Sequence, residues 1–281
     1  MTMKDSVALV TGASSGIGEA TAERLASVGY RVCGTSRRGT RAGQRSLEML
    51  PLDVTSDESV EAVVEEVIRR HGRIDLLVNN AGFSVGLAGD EETSVAQTQS
   101  IFDTNFFGTV RMTRAVVPHM RRRGVGRIIN IGSALGFVPM PYNAVYSATK
   151  HAIEGYTESL DHELRTWGIR AVIVEPGVTK TRFEANVVEP DSKIDEYREI
   201  RAALTATWQE AFAKGDEPGA VADVVLRAAT AARPKLRYPV GSVALLRVLR
   251  RFAPAGLMDS AIRRNLLLDA QTLPLPSVTP Q

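Results

Sequence analysis

Cysteine is almost missing from this chain: Cys33 stands alone among 281 residues. One thiol cannot close an internal disulfide, which excludes the disulfide-stapled secreted scaffolds and fits a reducing compartment. Long apolar runs are missing too. Nothing approaches the roughly 20 uninterrupted apolar residues of a membrane span, and the start, Met1 to Ser6, is polar and leads into a short apolar stretch only. The expectation is a soluble, cytoplasmic protein with no signal peptide. Charge of one sign is lacking: 34 Lys and Arg against 32 Asp and Glu leave a net charge of +2, so no global field argues for nucleic acid. Histidine is scarce. His71, His119, His151 and His162 show no ligand spacing, so each is given a surface or packing role and no metal is expected. Internal repeats and low-complexity linkers are absent, which favours one domain over 1–241, followed by a C-terminal extension over 242–281.

What is present is apolar mass, 44% of the residues, arranged as alternating strands and helices. Val7 to Val10 reads as a strand buried on both faces. The turn Thr11-Gly12-Ala13-Ser14-Ser15-Gly16-Ile17-Gly18 follows, then a helical pattern to Val28 and a stop at Gly29. Strand, glycine turn and helix start together make a phosphate site. Glycine lets backbone approach an anion, and the helix N-terminus offers free N–H groups and a positive dipole end. Gly12, Ser14, Ser15, Gly16, Ile17 and Gly18 are its candidate residues. A second strand, Arg31 to Thr35, ends in Ser36-Arg37-Arg38. Dinucleotide folds carry an acidic residue about 20 positions after the glycines, on the adenosine ribose. Ser36 holds that place here, and Arg37 beside it can grip a 2′-phosphate. The other reading of the arginine pair is a solvated loop.

A third strand, Leu47 to Leu52, ends at Asp53-Val54, where a carboxylate can reach an adenine amino group. An amphipathic helix runs from Ser56 to His71. Ile74 to Val78 is a fourth strand whose end, Asn79-Asn80-Ala81-Gly82, suits the ligand crevice of a doubly wound sheet; Asn79, Ala81 and Gly82 are placed there. Ser94 to Arg123 reads as one long helix carrying Asn105 inside an apolar face, where an amide must find partners. Arg127 to Ile131 is the fifth strand, with Ser133 just past its end. The helix from Ala144 to Trp167 sets Tyr146 and Lys150 four residues apart on one face. A phenol beside an ammonium ionises more easily and can exchange a proton with an alcohol or carbonyl oxygen. Ala171 to Val174 is the sixth strand, leading to Pro176, Gly177, Thr179 and Thr181; Leu236 to Val240 is the seventh. The fold class is α/β, a doubly wound parallel sheet of about seven strands with helices on both faces.

With Thr11 to Gly18, Asn79 to Gly82, Asn105, Ser133, Tyr146, Lys150 and Pro176-Gly177 all in order, the chain resembles the short-chain dehydrogenase/reductase family. The compact single-domain branch is the nearest in pattern, and within it the hydroxysteroid and retinol dehydrogenases. The resemblance implies that Tyr146 is the proton donor in carbonyl reduction and the base in alcohol oxidation. It implies that Lys150 lowers the tyrosine's pKa and bonds the nicotinamide ribose, and that Ser133 holds the substrate oxygen. Asn105 would bind a water linking Lys150 to solvent, and Thr181 would contact the nicotinamide carboxamide. Thr179 departs from the family's usual aliphatic residue. The implied activity is hydride transfer between NADP(H), preferred over NAD(H), and a bulky, apolar secondary alcohol or ketone of steroid, retinoid or lipid type. Alternatives are a 3-oxoacyl-thioester reductase and a regulator that senses NADP(H) without turnover. A homodimer or homotetramer is the implied assembly.

The segment 182–218 reads as a lid with a helix from Ile194 to Lys214, and Phe183, Trp208 and Phe212 are pocket walls or ordinary packing residues. Leu135, Tyr142 and Phe183 join Ser133 and Tyr146 as substrate candidates. A helix from Gly219 to Ala231 follows. Ser242 to Leu268 is apolar with interleaved Arg247, Arg250, Arg251, Arg263 and Arg264. Such a stretch can cover the cleft, form a subunit interface or lie on an anionic membrane. The tail from Thr272 onward is expected to be disordered.

Overall fold

The strand Val7–Val10 (β1) is buried along its whole length, as its unbroken aliphatic run requires of a strand covered on both faces. Around it the computed structural model, which describes residues 5–39, 47–181, 187–266 and 268, builds one parallel sheet. The other strands are Arg31–Ser36 (β2), Glu48–Pro51 (β3), Leu76–Asn79 (β4), Gly126–Ile131 (β5), Ile169–Glu175 (β6) and Arg237–Pro239 (β7). Their order is β3-β2-β1-β4-β5-β6-β7, and every pairing is parallel. The order reverses between β1 and β4, which opens a crevice at the strands' C-terminal ends.

Helices Gly16–Ser27 (α1), Asp57–His71 (α2), Val95–Phe102 (α3), Gly108–Arg123 (α4), Ala144–Leu164 (α5), Arg198–Ala213 (α6), Pro218–Thr230 (α7), Val243–Phe252 (α8) and Ala255–Asn265 (α9) are the α-helices of the described residues. On one face of the sheet Val60, Val63, Val64 and Val67 of α2 and Met112 and Val116 of α4 pack on Leu9, Leu77 and Ile128. On the other, Ala22 and Leu25 of α1 and Val221, Val224 and Val225 of α7 pack on Val10, Val78 and Val172. Ser56 caps α2, accepting from Ser59 N. The expected tail lies outside the described residues.

The single long helix expected over 94–123 is two. Asp103–Phe107 winds as a π turn between α3 and α4, with buried Asn105 inside it. The extra residue per turn frees the amide to bond away from its own helix. Asn105 Oδ1 accepts from Phe83 N at 2.9 Å, and its Nδ2 donates to Phe83 O at 2.9 Å. The side chain acts as a strand partner for the backbone past β4, which is why Asn serves there.

The end of β6, the start of β7 and the middle of α5 meet α8 in a charged cluster. Glu175 is fully buried and Glu154 nearly so. Arg247 of α8 bonds Glu175 and lies 3.7 Å from Glu154, while Arg237 bonds Glu154 and Glu158 at 3.0 and 2.7 Å. Burial, then the facing Glu154 carboxyl, pushes Glu175 up to about 8. Glu154 Oε1 and Glu175 Oε2 have no other partner, as two carboxyls sharing one proton require. An acid raised in the folded state binds a proton that the unfolded chain releases, so this stability is present below about pH 4.5 and is lost as pH rises towards 8. Thermal melts between those values should therefore fall in the wild type and fall less in Glu175→Gln; parallel curves would contradict the shared proton.

Candidate active site

The loops after β1, β2, β3, β4, β5 and β6 converge on one cleft of about 1240 Å³, larger than the roughly 300–1,000 Å³ of a drug-sized pocket. Gly12, Ser14, Ser15, Gly16 and Ile17 line one end of it, at the turn between β1 and α1. Gly12 and Gly16 adopt φ of +66° and +59°, the left-handed region that favours glycine. Gly18, assigned with them, is not a wall of the cleft. A Cβ there would stand 2.3 Å from Gly12 O and 2.4 Å from Asn80 Nδ2, so its role is the close approach of α1 to the turn. Gly18→Ala is expected to cost about 1–3 kcal/mol through this overpacking and to weaken dinucleotide binding. Unchanged melting and affinity would remove Gly18 from the account.

Ser36 and Arg37 line the cleft past β2, and Asp53 and Val54 past β3. Ser36 Oγ is buried without a partner. Asp53 is held below the usual carboxylate range by bonds from Thr55 N and Oγ1, with a smaller pull from Arg37. Past β4, Ala81 and Gly82 face the cleft, but Asn79 does not. Asn79 Nδ2 donates to Asn130 Oδ1 at 2.9 Å and to Thr113 Oγ1 at 3.3 Å, inside the sheet–helix layer. The neighbouring Asn80, absent from the sequence-based site, takes the cleft position. Its Nδ2 donates to Thr11 O at 2.9 Å, and Thr11 Oγ1 accepts from Asn80 N and Ala81 N at 2.9 and 3.0 Å. These bonds stitch the glycine turn to the end of β4.

At the other end Ser133, Tyr146 and Lys150 come together. Tyr146 is hydrogen-bonded to Ser133. Lys150 Nζ lies 5.5 Å from the Tyr146 ring centre and donates to Ile131 O at 3.0 Å. Burial pushes the Tyr146 phenol above its ordinary value, and the Ser133 bond offsets part of the rise. Burial also draws Lys150 down to about 8. The expected acidification of the phenol by Lys150 is not what the site shows: desolvation raises the phenol, and the Ser133 bond is what lowers it. Asn105 stands behind this group rather than in the cleft wall, and its Nδ2 also reaches Thr149 Oγ1 at 3.3 Å.

Pro176, Gly177, Thr179 and Thr181 line the floor beyond β6, and Leu135 the wall beside Ser133. Trp208 and Phe212 of α6 are cleft walls. Tyr142 is not: its backbone takes φ of +60°, and its ring packs edge-on against Tyr197 at 6.0 Å. Phe183 lies outside the described residues. One anchor of α6 carried no sequence signal. Buried Glu92 accepts from Gly89 N and Ile194 N, both at 2.8 Å, and pairs with Arg201 of α6. It fastens the covering helix across a hundred residues of sequence.

His71, given a surface or packing role, lies against Glu48 and Cys33, the three ligand-type groups within 4.8 Å of one another. Arg70 and His71 both hold the Glu48 carboxylate. Burial, and then Glu48, push the Cys33 thiol up to about 12, so the thiol stays protonated and is placed to donate to the carboxylate at 3.6 Å. Among the described residues no helix is long and apolar enough to cross a membrane.

Comparison with known proteins places this geometry. The family model for short chain dehydrogenases matches residues 6–192. The 3-ketodihydrosphingosine reductase of Bacteroides thetaiotaomicron is 35% identical, over 93% of this chain and 98% of its own. Bovine retinol dehydrogenase 8 is 39% identical, over 82% of this chain and 79% of its own. A short-chain dehydrogenase structure from Streptomyces avermitilis superposes with a TM-score of 0.76 at 33% identity, over 93% and 95% of the two chains. Two further solved structures hold nicotinamide cofactors. A metagenomic short-chain oxidoreductase is in complex with NADP (28% identity, TM-score 0.66, 85% and 98% coverage). A 3-ketoacyl-(acyl-carrier-protein) reductase of Brucella melitensis is complexed with NADH (25%, 0.72, 85% and 97%). By the family model and by relatives aligned over most of their length, the chain belongs to the short-chain dehydrogenase family and is an oxidoreductase acting on alcohol or ketone groups.

Proposed function

We propose that the chain is an NADP(H)-dependent reductase of bulky, apolar ketones, working in reverse on the matching secondary alcohols. The observation that carries this reading is the hydrogen-bonded Ser133–Tyr146 pair beside Lys150, set between a glycine-lined anion cradle and apolar walls. A dinucleotide fits the residues present. The turn is free of side chains where Gly12 and Gly16 approach, and the Ser36 hydroxyl is orphaned at the ribose end.

NADPH, when bound, supplies the hydride. The chain's own part is to hold the carbonyl oxygen on Ser133 Oγ and Tyr146 Oη, donors aimed where negative charge develops. As the carbonyl carbon gains the hydride, the oxygen takes the Tyr146 proton, leaving an alcohol and a phenolate. A phenol kept protonated by burial is ready for that donation. Lys150, drawn down to about 8, is the proton source that returns the Tyr146 phenolate to the phenol, leaving a neutral amine that solvent reprotonates. Arg37, exposed at the cleft edge with no carboxylate in the Ser36 position, favours the 2′-phosphate of NADP(H). Leu135, Trp208 and Phe212 supply apolar walls, and the sphingoid and retinoid names of two relatives agree with that lining. Ser133, Tyr146 and Lys150 are the proposed catalytic residues, with Asn105 positioning them. A panel of long-chain, retinoid and steroid ketones, followed at the absorbance of reduced nicotinamide with both cofactors, tests the reading. Turnover of apolar ketones with NADPH ahead of NADH supports it; turnover of small polar sugars alone would sink it.

A further inference from the structure

Helix α8 is turned inside out. Val243, Leu246, Arg247 and Arg250 recur at the spacing of one helical face, and that face meets the domain. Val243 is buried, Arg247 bonds Glu175 and covers the Phe137 ring at 4.6 Å, and Arg250 Nε donates to Phe137 O at 3.2 Å. The opposite face repeats the same spacing with Leu245, Val248, Leu249 and Phe252, whose exposures are 64, 54, 47 and 75%. Leu257 of α9 adds 65%. A surface helix normally puts its apolar stripe on the core. Here the buried carboxyls of Glu175 and Glu154 hold Arg247 inward, Phe137 O takes Arg250 at the rim, and the apolar stripe is left facing out.

A contiguous apolar face of this kind marks a contact surface. Cationic residues accompany it: Arg251 lies over the Phe252 ring at 5.6 Å, Arg264 of α9 is exposed, and Asp259 is the one acidic residue between 243 and 266. A stable protein interface takes roughly 20–30 residues a side, far more than these five apolar side chains. A symmetric contact would also bring equivalent arginines towards one another. An anionic lipid surface matches both features, since it takes a shallow apolar stripe and neutralises the cationic residues that accompany it. We infer that α8 and α9 dock the protein in the plane of an anionic lipid bilayer. The docked helix packs on the turn Ala134–Gly136, whose Leu135 is a cleft wall. The apolar end of the cleft therefore sits beside the bilayer, which deepens the proposed lipid-like substrate and rests on that reading; the docking itself does not.

The test sediments the full chain with vesicles of equal parts phosphatidylglycerol and phosphatidylcholine, and with phosphatidylcholine alone. The chain should pellet with the anionic vesicles and be released by about 0.5 M salt. Phe252→Ser should lower partitioning about ten-fold, from lost apolar burial. Arg251→Gln with Arg264→Gln should lower it on the order of 25-fold, about five-fold per charge. Melting temperature and turnover of a water-soluble ketone should be unchanged in both. Failure to pellet overturns the inference, as do variants that pellet like the wild type. A wild-type dimer that Phe252→Ser dissociates, with no vesicle binding, would assign the face to a second copy instead. Turnover is scored separately, so a chain that binds vesicles yet reduces no ketone would refute the function without touching the docking.

Discussion

Tyr146→Phe should lower ketone turnover by about 10²–10⁴ while leaving NADPH affinity within a few-fold. That span is what a positioned proton donor typically contributes. The phenyl ring keeps the packing of a residue on α5, and only the hydroxyl bonded to Ser133 is lost. Without it the developing oxyanion keeps one donor, Ser133, and receives no proton. A sensor of the cofactor would show no such loss because it has no turnover to lose. Binding measured by quenching of intrinsic fluorescence separates the two effects: a large fall in turnover with intact binding assigns the hydroxyl to chemistry. Activity within a few-fold of wild type would show that another group donates the proton.

The second large effect is expected at the ribose end. Replacing Ser36 with Asp and Arg37 with Ser should move the NADPH-to-NADH preference by about 10–100-fold towards NADH for each charged contact exchanged, the usual worth of a hydrogen bond to a charged group. Arg37 stands at the cleft edge and lowers the nearby Asp53 carboxyl. Ser36 brings a small hydroxyl with no partner of its own. An aspartate there accepts from ribose hydroxyls and repels a 2′-phosphate. Steady-state kinetics with both cofactors reads the change, and an unmoved ratio would return Arg37 to the role of a solvated loop residue.

Much of this architecture was legible in the sequence because the sheet is parallel and buried. Runs such as Val7–Val10 and Ala171 to Val174 must be apolar on both faces, and a glycine turn between strand and helix has few other uses. What escaped depended on single-residue registers and on tertiary neighbours. Asn79 and Asn80 differ by one position at the end of a strand, which is enough to turn one amide into the helix layer and the other towards the glycine turn. The π turn around Asn105 leaves the apolar periodicity nearly intact, so the pattern read as one helix. Gly18 carries the glycine spacing of a ligand site, yet its reason is the backbone of Gly12 pressed against it. The Glu92–Arg201 pair joins residues too far apart in sequence for any local pattern to reveal. The interleaving of arginines with apolar residues over 242–268 was visible in the sequence, but not which residues would face the domain. That was decided by Glu154 and Glu175, which the chain brings to Arg247 from other elements.

The central claim is that hydride from a nicotinamide and a proton from Tyr146 meet on one carbonyl in this cleft. The most direct measurement is single-turnover reduction of an apolar ketone with NADPH deuterated at the transferable position of the nicotinamide ring, followed by mass spectrometry of the product. The account predicts one deuterium on the carbinol carbon, with formation of the labelled alcohol matching loss of reduced cofactor and nearly abolished in Tyr146→Phe. Bound NADPH that stays reduced in the presence of every ketone, or an alcohol without the label, would contradict it.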